Sequence, residues 1–495
     1  MDIASEGSVT LLIVLAACGI LGWGFYRAKP YGKLGILAWL QSVILMVPWL
    51  IFFGLSALGI YLNLASILFL FLASTGFYIF LGSRLRAAGQ EQILRERAAA
   101  RLKEAEQQDV MKTAESSLGL TAAVVPAIPA DDLKVIQGLF GIDSFFATET
   151  IPYQEGVLFK GNLRGDAEAV YSRLSTHLQE RLGDRYRLFL VENLDRRPVV
   201  IVLPALSDPK PTTLLQVLLA GLLAVATIAT SFETAGLLLG FDLYQNLTRL
   251  RETFPIAIGL LAILATHEIG HRLLAARHQI RLSLPYFIPT WQIGSFGALN
   301  RFESWLPNRK VLFDIAFAGP AAGGLLSLLM LIVGLLLSSP ESGLKVPSVF
   351  FQGSVLVGTL AKVILGAALL QPDVPVHPLV ITGWLGLVIT ALNLMPAGQL
   401  DGGRVVQAIY GRKTAGWTTI ATIVVLGILA FVNPLALYWA IVILFLQRDL
   451  ERPSFNELSE PDDARAALGL LALFLMVATL IPLTPSLAGR LGIGG

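Results

Sequence analysis

Charge is what this sequence has least of. Asp, Glu, Lys and Arg make up 15% of its 495 residues, against about 25% in a soluble globular chain. A surface that poor in charge does not stay wet, so an ordinary soluble protein is excluded. The net charge of +2 gives no basis for a nucleic-acid partner. A single cysteine, Cys18, excludes an internal disulfide and a cysteine zinc cluster. Five histidines leave any metal site to a small choice of His, Asp and Glu. The first residues, MDIASEGS, carry acids and no arginine, unlike an Arg- and Ser-rich transit peptide. The apolar run 9–25 that follows is read as a retained span rather than a cleaved signal.

What the chain has in quantity is apolar length: 55% of it is hydrophobic. A spanning helix needs about 20 mostly apolar residues. By that measure spans are expected at 9–25, 34–53, 60–80, 213–230, 254–276, 311–337, 379–400, 417–431, 435–445 (short) and 464–481. Segment 353–370 is ambiguous because Lys362 stands in its middle. Between Arg84 and Lys210 the composition changes. A charged helix and an Ala/Pro-rich linker occupy 84–128, and a compact soluble unit follows over 129–210. In that unit Asp166 to Leu182 sets Val170, Leu174, Leu178 and Leu182 on one helical stripe. Strands are expected near 157–163, 185–191 and 198–203, the last two joined by a turn through Asn193 and Asp195. The fold expected is therefore an all-α polytopic membrane protein. It has about 9–10 spanning helices, a re-entrant hairpin-like element and a small inserted α+β domain. Three spans occupy 1–83, and the main membrane domain occupies 211–495.

Lys and Arg cluster after the first span (Arg27, Lys29, Lys33) and after the third (Arg84, Arg86, Arg95, Arg97). The positive-inside bias puts both loops, and with them the soluble domain, in the cytoplasm. The parity of the later spans holds only if 353–370 does not cross.

Residues 267–271 read His-Glu-Ile-Gly-His. On a helix, positions i and i+4 share a face, so His267 and His271 can hold one tetrahedral ion. Glu268 then lies beside the ion's open position, where a carboxylate can take a proton from water. Ionisable residues inside a span are costly unless paired or metal-bound, so the setting itself favours a functional site. Catalytic zinc sites have three protein ligands. His278 lies seven residues beyond His271, about 10 Å along a helix and too far to close the site. His377 precedes span 379–400 and falls at the opposite face. Asp401 ends that span at matching depth, followed by Gly402 and Gly403, which are expected to free the backbone for a close approach to the ion. Zn²⁺ is the expected cofactor, with His267, His271 and Asp401 as ligands.

HEIGH in one span, with Asn393-Leu394-Met395-Pro396 leading to Leu400-Asp401-Gly402 in a later one, resembles the site-2 protease family of intramembrane metalloproteases. The resemblance implies two His and one Asp on zinc, with Glu268 as general base. Many members read Asn-Pro-Asp-Gly where this chain has Gln399-Leu400-Asp401-Gly402. The ligand is kept and the local turn differs. Asn393 matches the family's asparagine near the metal; holding a substrate carbonyl or oxyanion and forming an interhelical hydrogen bond are both open to it. Gly161-Asn162-Leu163-Arg164, with LPYFIP at 284–289 and GSFGA at 294–298, is similar to the ethylene-dependent gravitropism-deficient and yellow-green proteases of chloroplasts and cyanobacteria. With no transit peptide expected, the resemblance implies a cyanobacterial plasma or thylakoid membrane.

Segment 284–308 is too broken by Pro285, Pro289, Gly294 and Gly297 to be a helix, yet too apolar for a wet loop. Irregular backbone at membrane depth survives only under cover of protein or along a cavity. A hairpin beside the metal is expected, offering an edge to an unwound substrate. Gly319-Pro320-Ala321-Ala322-Gly323-Gly324 suggests close helix contact. The expected function is hydrolysis of peptide bonds in transmembrane helices of protein substrates within the lipid bilayer. The alternative is a catalytically silent membrane zinc protein acting as scaffold or chaperone. The intact Glu268 argues against it.

Overall fold

The structure, a computed structural model, describes residues 128–493 except 154, 194–196, 291, 432 and 448, together with scattered positions between 25 and 84. The expected span 9–25, the charged helix and the linker fall almost wholly outside the described residues, and spans 34–53 and 60–80 fall there in large part. The chain divides into two compact units, Met1–Val124 with Ile423–Leu446, and Val125–Thr422 with Gln447–Gly495.

The second unit begins with the sheet domain. Helix α1 (Ala130–Gln137) precedes β1 (Phe145–Tyr153), β2 (Gly156–Leu163), α2 (Ala167–Leu182), β3 (Tyr186–Glu192) and β4 (Pro198–Pro204). The strands form one antiparallel sheet in the order β1-β2-β4-β3. Asp166 caps α2 by accepting from the Ala169 amide, and the stripe Val170, Leu174, Leu178 and Leu182 is buried. It packs with Phe145, Phe159, Leu190, Val200 and Val202 into the domain core. β4 is a continuous apolar run because both of its faces are covered. Val200 and Val202 face the helices, whereas Val199 and Ile201 meet Trp305 and Phe455 on the other side. β1 was not expected. A bulge between Ala147 and Glu149 breaks its alternation, and with it the sequence signal.

The β3 edge is closed from far along the chain. The Leu190 amide donates to the Phe455 carbonyl at 2.7 Å, and the Glu457 amide donates to the Leu190 carbonyl at 3.0 Å. Asn456 forms parallel bridges to Leu190 on one side and to Asn308 on the other. Residues 455–457 thus act as a fifth strand.

Four described helices are long and apolar enough to cross a membrane: α3 (Leu214–Leu238), α4 (Leu250–Arg277, with the turn before it), α5 (Arg309–Leu337) and a later one, Asp463–Leu480. Between α4 and α5 lies the expected hairpin, β5 (Tyr286–Thr290) paired antiparallel with β6 (Gly294–Leu299). Asn308 caps α5 through the Val311 amide. After α5, the hairpin β7 (Leu344–Pro347) and β8 (Asp373–Val376) brackets α6 (Val355–Leu365). At 1.5 Å per residue these 11 residues rise about 16 Å, half of the ~30 Å hydrocarbon layer.

Helix α7 (Pro378–Asn393) is shorter than the expected span 379–400. The chain leaves the helix at Leu394 and turns through 394–400 before α8 (Asp401–Leu429) begins. α8 runs past the expected start at 417 and carries a non-helical Gly411. α9 (Pro434–Val442) continues as a π-helical turn over Ile443–Gln447, after which come α10 (Asp463–Leu480) and α11 (Pro485–Leu491). Within the first unit the Phe69 and Phe431 rings meet at 4.9 Å.

Candidate metal centre

His267 and His271 stand one turn apart on α4, both buried. Their Nε2 atoms are 3.1 Å apart. Asp401 Oδ2 lies 3.1 Å from His267 Nε2 and 3.4 Å from His271 Nε2. Zinc bonds of about 2.0–2.1 Å at tetrahedral angles put neighbouring ligand atoms about 3.3 Å apart, so the spacing is that of a zinc site. The chemistry of the donors agrees. His271 Nδ1 donates to the Ile315 carbonyl at 2.8 Å, which fixes the proton there and leaves the Nε2 lone pair facing the other two ligands. A buried cation is what makes such a convergence of acceptors favourable. Among the described residues this is the one group of three or more His, Cys, Asp or Glu that can hold a metal ion.

The expectation for Asp401 needs correction in its local structure. The aspartate does not end α7; it opens α8, after the buried turn 394–400. Nor do Gly402 and Gly403 leave helical geometry. They are glycines because that turn folds back onto them: a Cβ on Gly402 would overlap the Leu394 carbonyl, and one on Gly403 the carbonyls of Ala397 and Gly398. The residues Gly319 to Gly324 do make the expected close contact, and they make it with the site. Gly323 lies against His267, and Gly270 lets α4 approach the Ala318 carbonyl of α5.

Glu268, one residue from His267, is 7% exposed. Its Oε2 accepts from Asn300 Nδ2 at 2.8 Å. Arg272 Nε is an ion-pair partner 2.7 Å from Oε1, but no hydrogen bond reaches that oxygen. Asn393 is buried at the end of α7 and spends its Nδ2 hydrogens on the carbonyls of Phe296, at 2.9 Å, and Ile389, at 2.8 Å. These bonds run to the hairpin and to its own helix, not to another helix. Gly297, at φ 100°, brings β6 against the Asn393 amide. Thr230 of α3 holds the other end of the hairpin by donating to the Gly294 carbonyl at 2.6 Å.

The two remaining histidines near the membrane domain stay apart from the site. His278 follows α4 and pairs with Asp314 at 3.3 Å. His377 caps α7 by accepting from the Leu379 amide. Asn300, in contrast, is in the site and was not anticipated. Its only sequence signal is an amide side chain directly after the apolar stretch GSFGAL.

Three convergent buried donors, two of them on a long apolar helix with a glutamate between, define a class: the membrane-associated zinc metalloproteases. More narrowly, residues 255–444 match Peptidase family M50 and residues 134–210 match the EGY3 middle domain. The chain belongs to the M50, or site-2 protease, family, in the EGY group. It is 39% identical over 363 residues to "Probable zinc metalloprotease EGY2, chloroplastic" of Arabidopsis thaliana, covering 72% of this chain and 65% of that protein. It is equally 39% identical to the EGY1 protein of the same plant, over 74% of each chain. With the EGY3 protein of Oryza sativa subsp. indica it shares 32% identity, over 71% of this chain and 64% of that one. The chain thus spans between three fifths and three quarters of these relatives. No solved structure matches it.

Proposed function

We propose that this chain is an intramembrane zinc metalloprotease that hydrolyses peptide bonds in membrane-spanning helices of other proteins. The observation that carries the reading is the convergence of three buried donors, His267 and His271 on a helix long and apolar enough to span and Asp401 at the first residue of α8. When bound there, zinc supplies a Lewis acid for the scissile carbonyl and brings the pKa of a water towards about 7. Glu268 takes the proton of that water and returns it to the departing amine. Its carboxylate is held by Asn300 at Oε2 and by the Arg272 ion pair at Oε1. The β5–β6 hairpin, fastened by Asn393 and Thr230, receives the opened substrate strand by backbone pairing. Opening is required because helical carbonyls are tied to amides four residues on. The sheet domain lies on the cytoplasmic side of a cyanobacterial plasma or thylakoid membrane.

The test is purified full-length protein in proteoliposomes with a single-span substrate carrying Gly or Pro near its middle. Cleavage should fall within the span, reduced to a small residual rate by Glu268→Gln and slowed when the Gly and Pro are replaced by Leu. Cuts confined to the extramembrane loops would refute the reading. Equal cleavage by Glu268→Gln would remove the base.

A further inference from the structure

The proposed base cannot be aimed by its own helix alone. Glu268 and Arg272 stand at i and i+4 on α4, a spacing at which the arginine captures the carboxylate, and Arg272 is indeed 2.7 Å from Oε1. A second holder comes from elsewhere in the fold. Asn300 directly follows β6, and its Nδ2 donates to Oε2 at 2.8 Å. Its backbone is held in turn: the Asn300 carbonyl accepts from Arg404 Nη2 at 2.6 Å.

Arg404 belongs to the first turn of α8, three residues after Asp401. It is itself buried and immobilised. Its Nε donates to Glu451 Oε2 at 2.9 Å, and its guanidinium covers the Phe302 ring at 4.8 Å. Asn300 is therefore the joint between the helix that carries the base and the helix that carries the third ligand. A further detail separates it from an ordinary buried asparagine, whose polar atoms are normally all paired. Asn300 Oδ1 is buried and has no partner. The amide is turned so that its donor end serves Glu268, at the expense of its acceptor end.

We propose that Asn300 is a positioning residue for Glu268. It pins Oε2 and, with Arg272 beside Oε1, fixes the plane in which the carboxylate meets the reacting water. The inference rests on the base role of Glu268 proposed above. Asn300 touches neither metal donors nor reacting atoms, so its removal should lower turnover while leaving zinc and substrate binding in place.

The experiment uses full-length protein in proteoliposomes with Asn300→Leu, which keeps size without the donor, and Asn300→Asp, which sets a carboxylate against Glu268. Zinc per chain, melting temperature, KM and kcat are measured for each, beside wild type and Glu268→Gln. The expected result is a drop in kcat of about 10²-fold, the usual cost of misplacing a reacting group by about 1 Å. KM should stay within about 2-fold, with zinc content and melting temperature unchanged. In a Glu268→Gln background, Asn300→Leu should not lower the residual rate further. Wild-type kcat in both Asn300 variants, with Glu268→Gln reduced to its residual rate, would overturn the positioning role and leave the protease reading standing. Loss of zinc or of thermal stability in Asn300→Leu would also overturn it, by showing a structural residue. Full activity in Glu268→Gln would instead defeat the base assignment beneath both.

Discussion

A methyl group on Gly319 would overlap the imidazole of His271, coming closer than 3.0 Å to Nε2, Cδ2 and Cε1. The glycine is the floor on which a ligand histidine rests. Gly319→Ala should therefore weaken zinc binding by about 10–100-fold, the range seen when the support of a ligand is disturbed. Gly221→Ala, on α3 with open space around it, should keep full affinity. Competition with a chelator of known affinity measures both.

The choice of third ligand is tested by metal content. Asp401→Ala and His271→Ala should be purified with little or no zinc, and Glu268→Gln with one ion per chain. His278→Ala and His377→Ala should keep theirs, since each histidine is occupied with Asp314 or with the Leu379 amide. Zinc lost from either of these, and retained in Asp401→Ala, would reverse the assignment.

Asn393→Leu removes both hydrogen bonds from the end of α7 and unties it from the hairpin. A cost of about 1–3 kcal/mol is expected for the two lost bonds. Zinc should remain, because Asn393 touches none of the three donors, while cleavage falls and amide exchange in β6 speeds up. Unaltered exchange together with lost cleavage would point to contact with substrate instead.

Burial lifts the Glu457 carboxyl above its ordinary 4.5, the opposing pull of Arg412 notwithstanding. Protonated Glu457 thus favours the folded junction. That stability is fully present below the ordinary glutamate range and is lost as pH rises through the raised value. Glu457→Gln should raise the melting temperature at pH 7–8 and change little near pH 4. A benefit greatest in acid would contradict the direction of the shift.

Sidedness follows from counting crossings. Two helices long and apolar enough to span, α3 and α4, separate the sheet domain from the hairpin segment, and a third, α5, follows it. Cysteines at Ser172 and Ser339, both exposed, introduced in a Cys18→Ser background, should label from opposite sides of the membrane with an impermeant thiol reagent. The first should be protected in intact cells. Labelling of both from one side would break the topology.

The metal donors were legible because their chemistry shows in residue type. HEIGH sets two candidate ligands one turn apart, and Asp401 is the acid that lies within 3.4 Å of both. Asp401 stands at the start of α8, not at the end of α7. The turn 394–400 is mostly apolar and largely covered, so hydropathy alone cannot distinguish Leu394-Met395-Pro396 from another turn of α7. The first half of α8 was hidden for the opposite reason. Arg404, Gln407 and Arg412 make it look wet, yet all three are absorbed by hydrogen bonds to Glu451. Asn300 was illegible because its importance lies in what two distant helices bring to it. The stripe on α2 and the run in β4, by contrast, carry their periodicity openly.

The strand formed by residues 455–457 makes the sheet domain something other than a portable module. Cut out at its sequence boundaries, residues 129–210 would lose the neighbour of β3 and bare Phe189, Val191 and Val199, which Trp305 and Phe455 now cover. An open strand edge beside an apolar face is a route to aggregation. Shuffling of this domain between genes would therefore have to carry the downstream strand along. The two pieces are one heritable unit, although the main membrane helices lie between them in the sequence.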